Sequence, residues 1–182
     1  MEGDRHAATS LIRGTEKLVA QIVFKMLRHP ADRKDLFQDI YLKTFKSLPR
    51  FRFQCKLSTW VAQISYSSCL DFLQKMKPGL LGDLGNEIPE EERFAQAQWI
   101  DRPNNPDQVL TNKERAAILG EACAKLPEVY NTLVTLFHKE ALSLEEISAI
   151  TDLPVGTIKS YLFRARKMLK DQLLKRYSKE EL

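Results

Sequence analysis

Apolar residues recur at helical spacing along most of the chain. Between residues 7 and 27, Leu11, Leu18, Ile22, Val23, Met26 and Leu27 follow that spacing. The stretch HPADRKDL then places a break at Pro30, with Asp32 and Asp35 where the first turn of a new helix favours negative charge. This second helix is predicted to run to about residue 48, where Pro49 stops it. A third is predicted over 57–76, with Ser58 and Thr59 as candidate caps. The periodicity returns over 113–125, 127–140, 143–150 and 154–175. No segment alternates with period two and no internal repeat is visible, so the expected class is all-α.

Between the two helical stretches the pattern changes in kind. KPGLLGDLGNEIPEEERFAQAQWIDRPNNPDQ holds four of the eight prolines and three glycines, together with a cluster of acids. That composition predicts an extended acidic linker. The chain is thus expected to form two small helical domains, 1–77 and 112–182, joined by a linker over 78–111. The linker reads either as a solvated tether or as an acidic mimic of nucleic acid, with Phe94 and Trp99 as anchors.

Charge sharpens the picture. Residues 1–77 carry fourteen Lys and Arg against seven Asp and Glu, whereas 78–110 carry two against seven. Residues 111–153 carry four against seven, and 154–182 carry eight against three. Two basic regions separated by acidic sequence suit two separate contacts with a polyanion. Cys55, Cys69 and Cys123 are odd in number and far apart, which argues for the reducing cytoplasm and against a disulfide framework or structural zinc. His6, His29 and His138 show no ligand spacing, so neither a metal nor a cofactor is expected. No apolar run is long enough for membrane insertion, and MEGDRHAATS lacks the apolar centre of a signal peptide. No acid–base pair or activated nucleophile stands out, so an enzyme is not expected.

The stretch SLEEISAITDLPVGTIKSYLFRARKMLK reads as a short helix, a tight turn and a longer basic helix. Ser143-Leu-Glu-Glu146 has the form of a capping box. Asp152 stands at the turn, where a left-handed residue is often required, and Pro154 suits the first turn of the next helix. In that helix Val155, Ile158, Leu162, Ala165 and Leu169 share one face. Thr157, Ser160, Arg164 and Lys167 share the other, with Lys159 and Arg166 beside them. Small hydroxyls followed by cations suit a helix that enters the major groove and meets base edges and phosphates. A solvated surface helix is the duller alternative.

Two further groups fall in the N-terminal half. On the second helix Leu36, Phe37, Ile40, Thr44 and Leu48 form the core stripe, while Gln38, Asp39, Leu42 and Phe45 project outward, with Asp35 beside them. Two large apolar residues on an outward face suit a dock for another protein, or a cover by the first helix. The loop after it interleaves Arg50, Arg52 and Lys56 with Phe51 and Phe53. Such rings stack on unpaired bases while cations hold phosphates, unless the rings simply plug the domain core. Trp60, Tyr66 and Asp71 read as structural, and Cys69 and Cys123 as buried small residues.

LSLEEISAITDLPVGTIKSYLFRARKMLK resembles the C-terminal helix-turn-helix of bacterial sigma factors of the extracytoplasmic-function group. HPADRKDLFQDIYLKTFKSLPRFR and LSTWVAQISYSSCLDFL are similar to successive parts of that family's other conserved domain. Ser148 and Asp152 stand where the family commonly carries Ala and Gly. The resemblance implies a dissociable subunit that gives core RNA polymerase its promoter specificity. Thr157, Lys159, Ser160, Arg164, Arg166 and Lys167 would then read −35 duplex. Arg50, Phe51, Arg52, Phe53 and Lys56 would capture single-stranded −10 DNA. Asp35, Gln38, Asp39, Leu42 and Phe45 would grip the clamp helices of the polymerase's largest subunit. The linker would thread toward the polymerase active site, and an anti-sigma factor would be a further partner. The alternatives are a stand-alone helix-turn-helix regulator that binds duplex operators and an adapter that binds protein alone.

Overall fold

A computed structural model describes residues 2–76 and 112–176. The expected linker, with Phe94 and Trp99, lies outside the described residues. Among the described residues all regular structure is helical: α1 (Glu2–Met26), α2 (Pro30–Ser47), α3 (Leu57–Met76), α4 (Asn112–Ala124), α5 (Glu128–Val134), α6 (Leu144–Thr151) and α7 (Val155–Arg176). None of these helices is long and apolar enough to cross a membrane.

Each helix forms around the stripe its sequence sets out. α1 buries Val19, Ile22, Val23 and Met26, and α3 buries Val61, Ala62, Tyr66, Cys69 and Leu73. Ser65, on the same side of α3, stays satisfied by donating to the Val61 carbonyl at 2.7 Å. Between α1 and α2 a buried hydrogen bond joins the Thr15 and Tyr41 hydroxyls at 2.9 Å. Burial raises the Tyr41 pKa, so the phenol remains neutral. At the α1–α2 corner the Arg33 guanidinium lies over the Phe24 ring, and its Nε donates to the Leu27 carbonyl at 2.7 Å.

Three helices differ from expectation at their ends. Pro30 does not interrupt but begins α2, since a first helical residue needs no N–H. At the other end, Leu48–Arg50 tighten into a 3-10 turn around Pro49. Ser58 and Thr59 do not cap α3; they lie within its first turn, and the Lys56 carbonyl accepts the first bond, from Trp60 N–H. The third difference is in the predicted helix over 127–140, which is α-helical only from Glu128 to Val134. Thr135–Lys139 widen into a π turn that closes through Glu140 N–H on the Thr135 carbonyl at 3.1 Å. Ala141 leaves it at φ 52°. Over five residues the α and π periods place side chains on nearly the same face, so hydrophobic spacing cannot separate them.

The two helical halves share one continuous core, with α1 packed on α5 and α3 on α6. Among the described residues three ion pairs join the halves: Lys17–Glu140 at 3.4 Å, Arg28–Glu128 at 3.2 Å and Lys56–Glu146 at 2.8 Å. Lys139 also donates to Gln21 Oε1 at 3.3 Å. In each ion pair the cation comes from the basic N-terminal half and the carboxylate from the acidic stretch after residue 111. Because the lysine and arginine partners are largely exposed, these pairs add little stability and chiefly set how the halves meet.

Candidate nucleic-acid interface

The short acidic helix, turn and basic helix are present in the expected order. Ser143 and Glu146 form the capping box reciprocally, each backbone N–H meeting the other side chain at 3.1 Å. Asp152 adopts the left-handed conformation at φ 59°, and the Ser148 hydroxyl donates to the Leu153 carbonyl at 2.6 Å. Together these bonds hold the turn. Pro154 stands one residue before α7 and accepts from Ile158 N–H, so it precedes the helix and is not within it.

On α7 the core side comprises Ile158, Leu162, Ala165 and Leu169, joined by Tyr161, whose ring meets Tyr130 edge-on at 5.3 Å. Val155 is only half-buried. Lys159 and Lys167 are exposed, and Thr157, Arg164 and Arg166 are half-buried. Ser160 departs from expectation: it is 1 % exposed, and its hydroxyl donates to the Gly156 carbonyl at 2.8 Å. In this conformation it presents no group to a duplex. The exposed stripe therefore runs through Gly156, Lys159, Lys167 and Lys170, rotated from the predicted face. Lys170 was missed because a polar residue so far along a basic helix carries no distinguishing signal. Arg166 Nη2 lies 3.2 Å from His138 Nε2, and burial, then the neighbouring guanidinium, lowers the His138 pKa. The neutral imidazole is therefore favoured, with Nε2 able to accept from Arg166.

The loop between α2 and α3 divides its two aromatics. Phe51 is half-buried, its ring 4.9 Å from Trp60 and 4.8 Å from Phe53. Phe53 is 86 % exposed and sits at φ 56°, a conformation that costs an aromatic residue about 1–2 kcal/mol. Arg50, Arg52 and Lys56 of the same segment are also exposed. Beside the loop opens a cavity of about 740 Å³ whose aliphatic wall is Ala7, Ala8, Leu11, Leu48 and Leu57. Phe45, Phe51 and Phe53 supply its aromatic side, and among the described residues Ser10 is the one polar side chain that lines it. Sequence reasoning missed the α1 contribution, because helical spacing does not reveal which distant helix closes over a loop.

On α2, Asp35, Gln38, Asp39 and Leu42 are exposed, with Leu42 at 57 %. Phe45 is a correction: it is half-buried, packs against the core and lines the cavity, with its ring 6.4 Å from Tyr41. It lies at the edge of the outward stripe, where it faces the cavity and not the docking face. Cys69 is buried and its thiol is pushed up to about 12, as befits a packing residue, and Cys123 is half-buried. Among the described residues no group of three or more His, Cys, Asp or Glu is placed to hold a metal.

Lys56 Nζ lies 2.8 Å from Glu146 Oε1, so one cation of the loop is tied to the capping box of α6. The Lys56 hydrogen bond first, then the Ser143 N–H, holds the Glu146 carboxyl below its ordinary range. A depressed carboxylate pKa contributes above the unfolded value and is lost as pH falls through the folded one. Carboxyl-detected NMR should therefore find Glu146 titrating below ordinary glutamates. Lys56→Met should move its midpoint upward; an unchanged midpoint would show that the pair does not form in solution.

Comparison with known proteins accounts for both ends of the arrangement. Residues 11–77 match the family Sigma-70 region 2, and residues 110–169 match Sigma-70, region 4. The chain is 27 % identical over 173 residues to the ECF RNA polymerase sigma factor SigW of Bacillus subtilis, spanning 94 % of this chain and 91 % of that one. It is 29 % identical over 174 residues to the ECF RNA polymerase sigma-E factor of Escherichia coli K12, spanning 94 % and 89 %. Among solved structures, the sigma factor RpoE of Bartonella quintana, in complex with the anti-sigma factor NepR, shares the fold at a TM-score of 0.60 and 18 % identity, covering 96 % of this chain and 98 % of that one. CnrH, in complex with the cytosolic domain of CnrY, does so at 0.61 and 18 %, covering 97 % and 93 %. With regions 2 and 4 matched in order and relatives aligned over nearly their full length, the chain belongs to the sigma-70 family of RNA polymerase sigma factors, in its extracytoplasmic-function group.

Proposed function

We propose that this sigma factor recognises a promoter in two parts while held on core polymerase by a third surface. α7 reads the −35 element as duplex through Thr157, Lys159, Arg164, Arg166 and Lys167. Ser160 joins them only if its side chain turns outward on binding. Arg50, Phe51, Arg52, Phe53 and Lys56 capture the −10 element as single strand. Residues 1–77 thus serve the polymerase and −10 DNA, 112–182 serve −35 DNA, and 78–111 connect them. Asp35, Gln38, Asp39 and Leu42 form the dock for the clamp helices of the polymerase's largest subunit. No cofactor and no chemistry of its own are required, since strand separation draws on the binding of extruded bases. The protein acts in the cytoplasm, where its polymerase is. An anti-sigma factor is a further partner, by analogy with the complexes of RpoE with NepR and of CnrH with the CnrY cytosolic domain.

The observation that carries this reading is Phe53, an exposed ring held in a costly backbone conformation in a loop that also exposes Arg50 and Arg52. A protein gains nothing in stability from such an arrangement, and strain of this kind marks functional positions. The test is transcription in vitro: purified protein with core polymerase should yield specific transcripts that core alone does not. A stand-alone regulator would instead bind duplex operators and leave core polymerase without new start sites.

The duplex contacts can be separated by kind. Arg164→Ala should cost about 1–3 kcal/mol on the −35 duplex and relax specificity at one position if the guanidinium reads a base edge. Lys167→Ala should weaken all duplexes alike and lower the salt slope by about one. Titrations over a salt series measure both, and parental affinity in both variants would remove α7 from the interface.

A further inference from the structure

We infer that His138 is a positioning residue for duplex binding: its Nε2 accepts from Arg166 and holds that guanidinium ready for a phosphate, a hold that acid releases. The inference rests on the reading of α7 as the duplex-binding helix and adds a residue that lies outside it. Arg166 is half-buried and, at helical spacing, stands in line with the exposed Lys159 and Lys170, where a phosphate contact belongs. Its Nη2 is 3.2 Å from His138 Nε2. A guanidinium carries several N–H donors, so one given to the imidazole leaves the others for phosphate oxygens. A restrained arginine also loses less rotamer freedom on meeting the duplex than a mobile one.

The π turn Thr135–Lys139 carries His138, and the Phe137 ring meets the imidazole edge-on at 4.9 Å. Turns of this width recur at functional positions. Neutral imidazole offers Nε2 as an acceptor when Nδ1 bears the proton, whereas imidazolium has only donors. Protonation therefore removes the acceptor and sets cation against cation. Desolvation first, then the Arg166 guanidinium, holds the His138 pKa below its ordinary value, so the accepting form prevails at neutral pH. The charges on neighbouring elements are otherwise engaged. Lys139 and Glu140 reach α1, where they meet Gln21 and Lys17. On α5 Glu128 pairs with Arg28, and on α6 Glu146 pairs with Lys56 while Glu145 is exposed. Among the described residues Arg166 is thus the charged group that bears on His138.

Fluorescence anisotropy on the full-length protein tests this at constant low salt. A mixed-sequence duplex of about twenty base pairs serves as the probe, since a phosphate contact does not depend on sequence. His138→Gln keeps an amide oxygen that accepts but does not titrate, and His138→Leu keeps no acceptor. At about pH 7.5 the glutamine variant should bind like the parent and the leucine variant about fivefold more weakly. Between about pH 7.5 and about pH 5 the parental affinity should fall about fivefold relative to the glutamine variant, a ratio that cancels the charge acid adds elsewhere. Circular dichroism should stay parental throughout, because His138 is exposed. A ratio that does not fall, or a leucine variant that binds as well as the glutamine one, overturns the role of His138. Arg166→Ala separates that failure from failure of the underlying reading. It should weaken binding and remove both His138 effects, and persistence of either effect would also overturn the inference. If Arg166→Ala binds like the parent, the placing of Arg166 on the duplex is what falls.

Discussion

Replacing Phe51 with alanine should lower the melting temperature of this protein, and replacing Phe53 should not, although both should weaken single-strand capture. Phe51 is half-buried between Trp60 and Phe53 and lines the cavity, so its removal takes packing from the Trp60 ring. Full truncation of a buried phenylalanine costs about 3–5 kcal/mol, and a half-buried one about half of that. Phe53 is 86 % exposed, so an alanine there loses almost no packing and keeps the same backbone conformation. Stability should stay within about 0.5 kcal/mol. On single-stranded −10 DNA each ring lost is worth about 1–3 kcal/mol of binding. Thermal melts paired with single-strand titrations measure both quantities. A large stability loss in Phe53→Ala would mean that its ring packs in solution, and parental single-strand affinity in both variants would remove the loop from the site.

Leu42→Ala should impair binding to core polymerase by about 2 kcal/mol or more, a loss typical of an apolar residue central to an interface. Leu42 is 57 % exposed in the free protein and belongs to no part of the core, so melting should be unaffected. Asp39→Ala, at the charged rim of the same face, should act mainly on the association rate and respond to salt. Phe45→Ala serves as the contrast. It packs against the core and lines the cavity, so it should destabilise the fold and disturb single-strand capture as well. All three variants should bind isolated −35 duplex normally, since α7 is untouched. Direct binding to core enzyme decides the matter. If folded Leu42→Ala binds as tightly as the parent, the outward face of α2 is not the dock, and the stand-alone regulator gains ground.

The α2 face shows why periodicity resolves some positions and not others. It correctly separated Leu36 and Ile40 from Gln38 and Asp39, because these lie far apart around the helix. Phe45 sits at the boundary of the stripe, where burial depends on what else folds over it. There it packs against the core and lines the cavity beside the aromatic loop, which no helical spacing encodes. On α7 the same limit appears at Ser160, which periodicity leaves outward and the folded chain buries.

By itself the sequence determined the helical class, the extents of most helices and the helix-turn-helix with its capping box and left-handed Asp152. All of these arise from interactions within a few residues: apolar spacing, a serine hydroxyl reaching a nearby N–H, a turn residue that tolerates positive φ. It also marked the arginine–phenylalanine loop and the acidic face of α2 as candidate sites. Only the tertiary structure decided that α1 completes a cavity beside that loop, that Phe51 packs while Phe53 stands free, and that Lys56 meets Glu146. These depend on residues tens of positions apart being brought together by burial of the shared core. Hydrophobic burial is non-directional, so the pattern of apolar residues states that faces will be covered without stating by what.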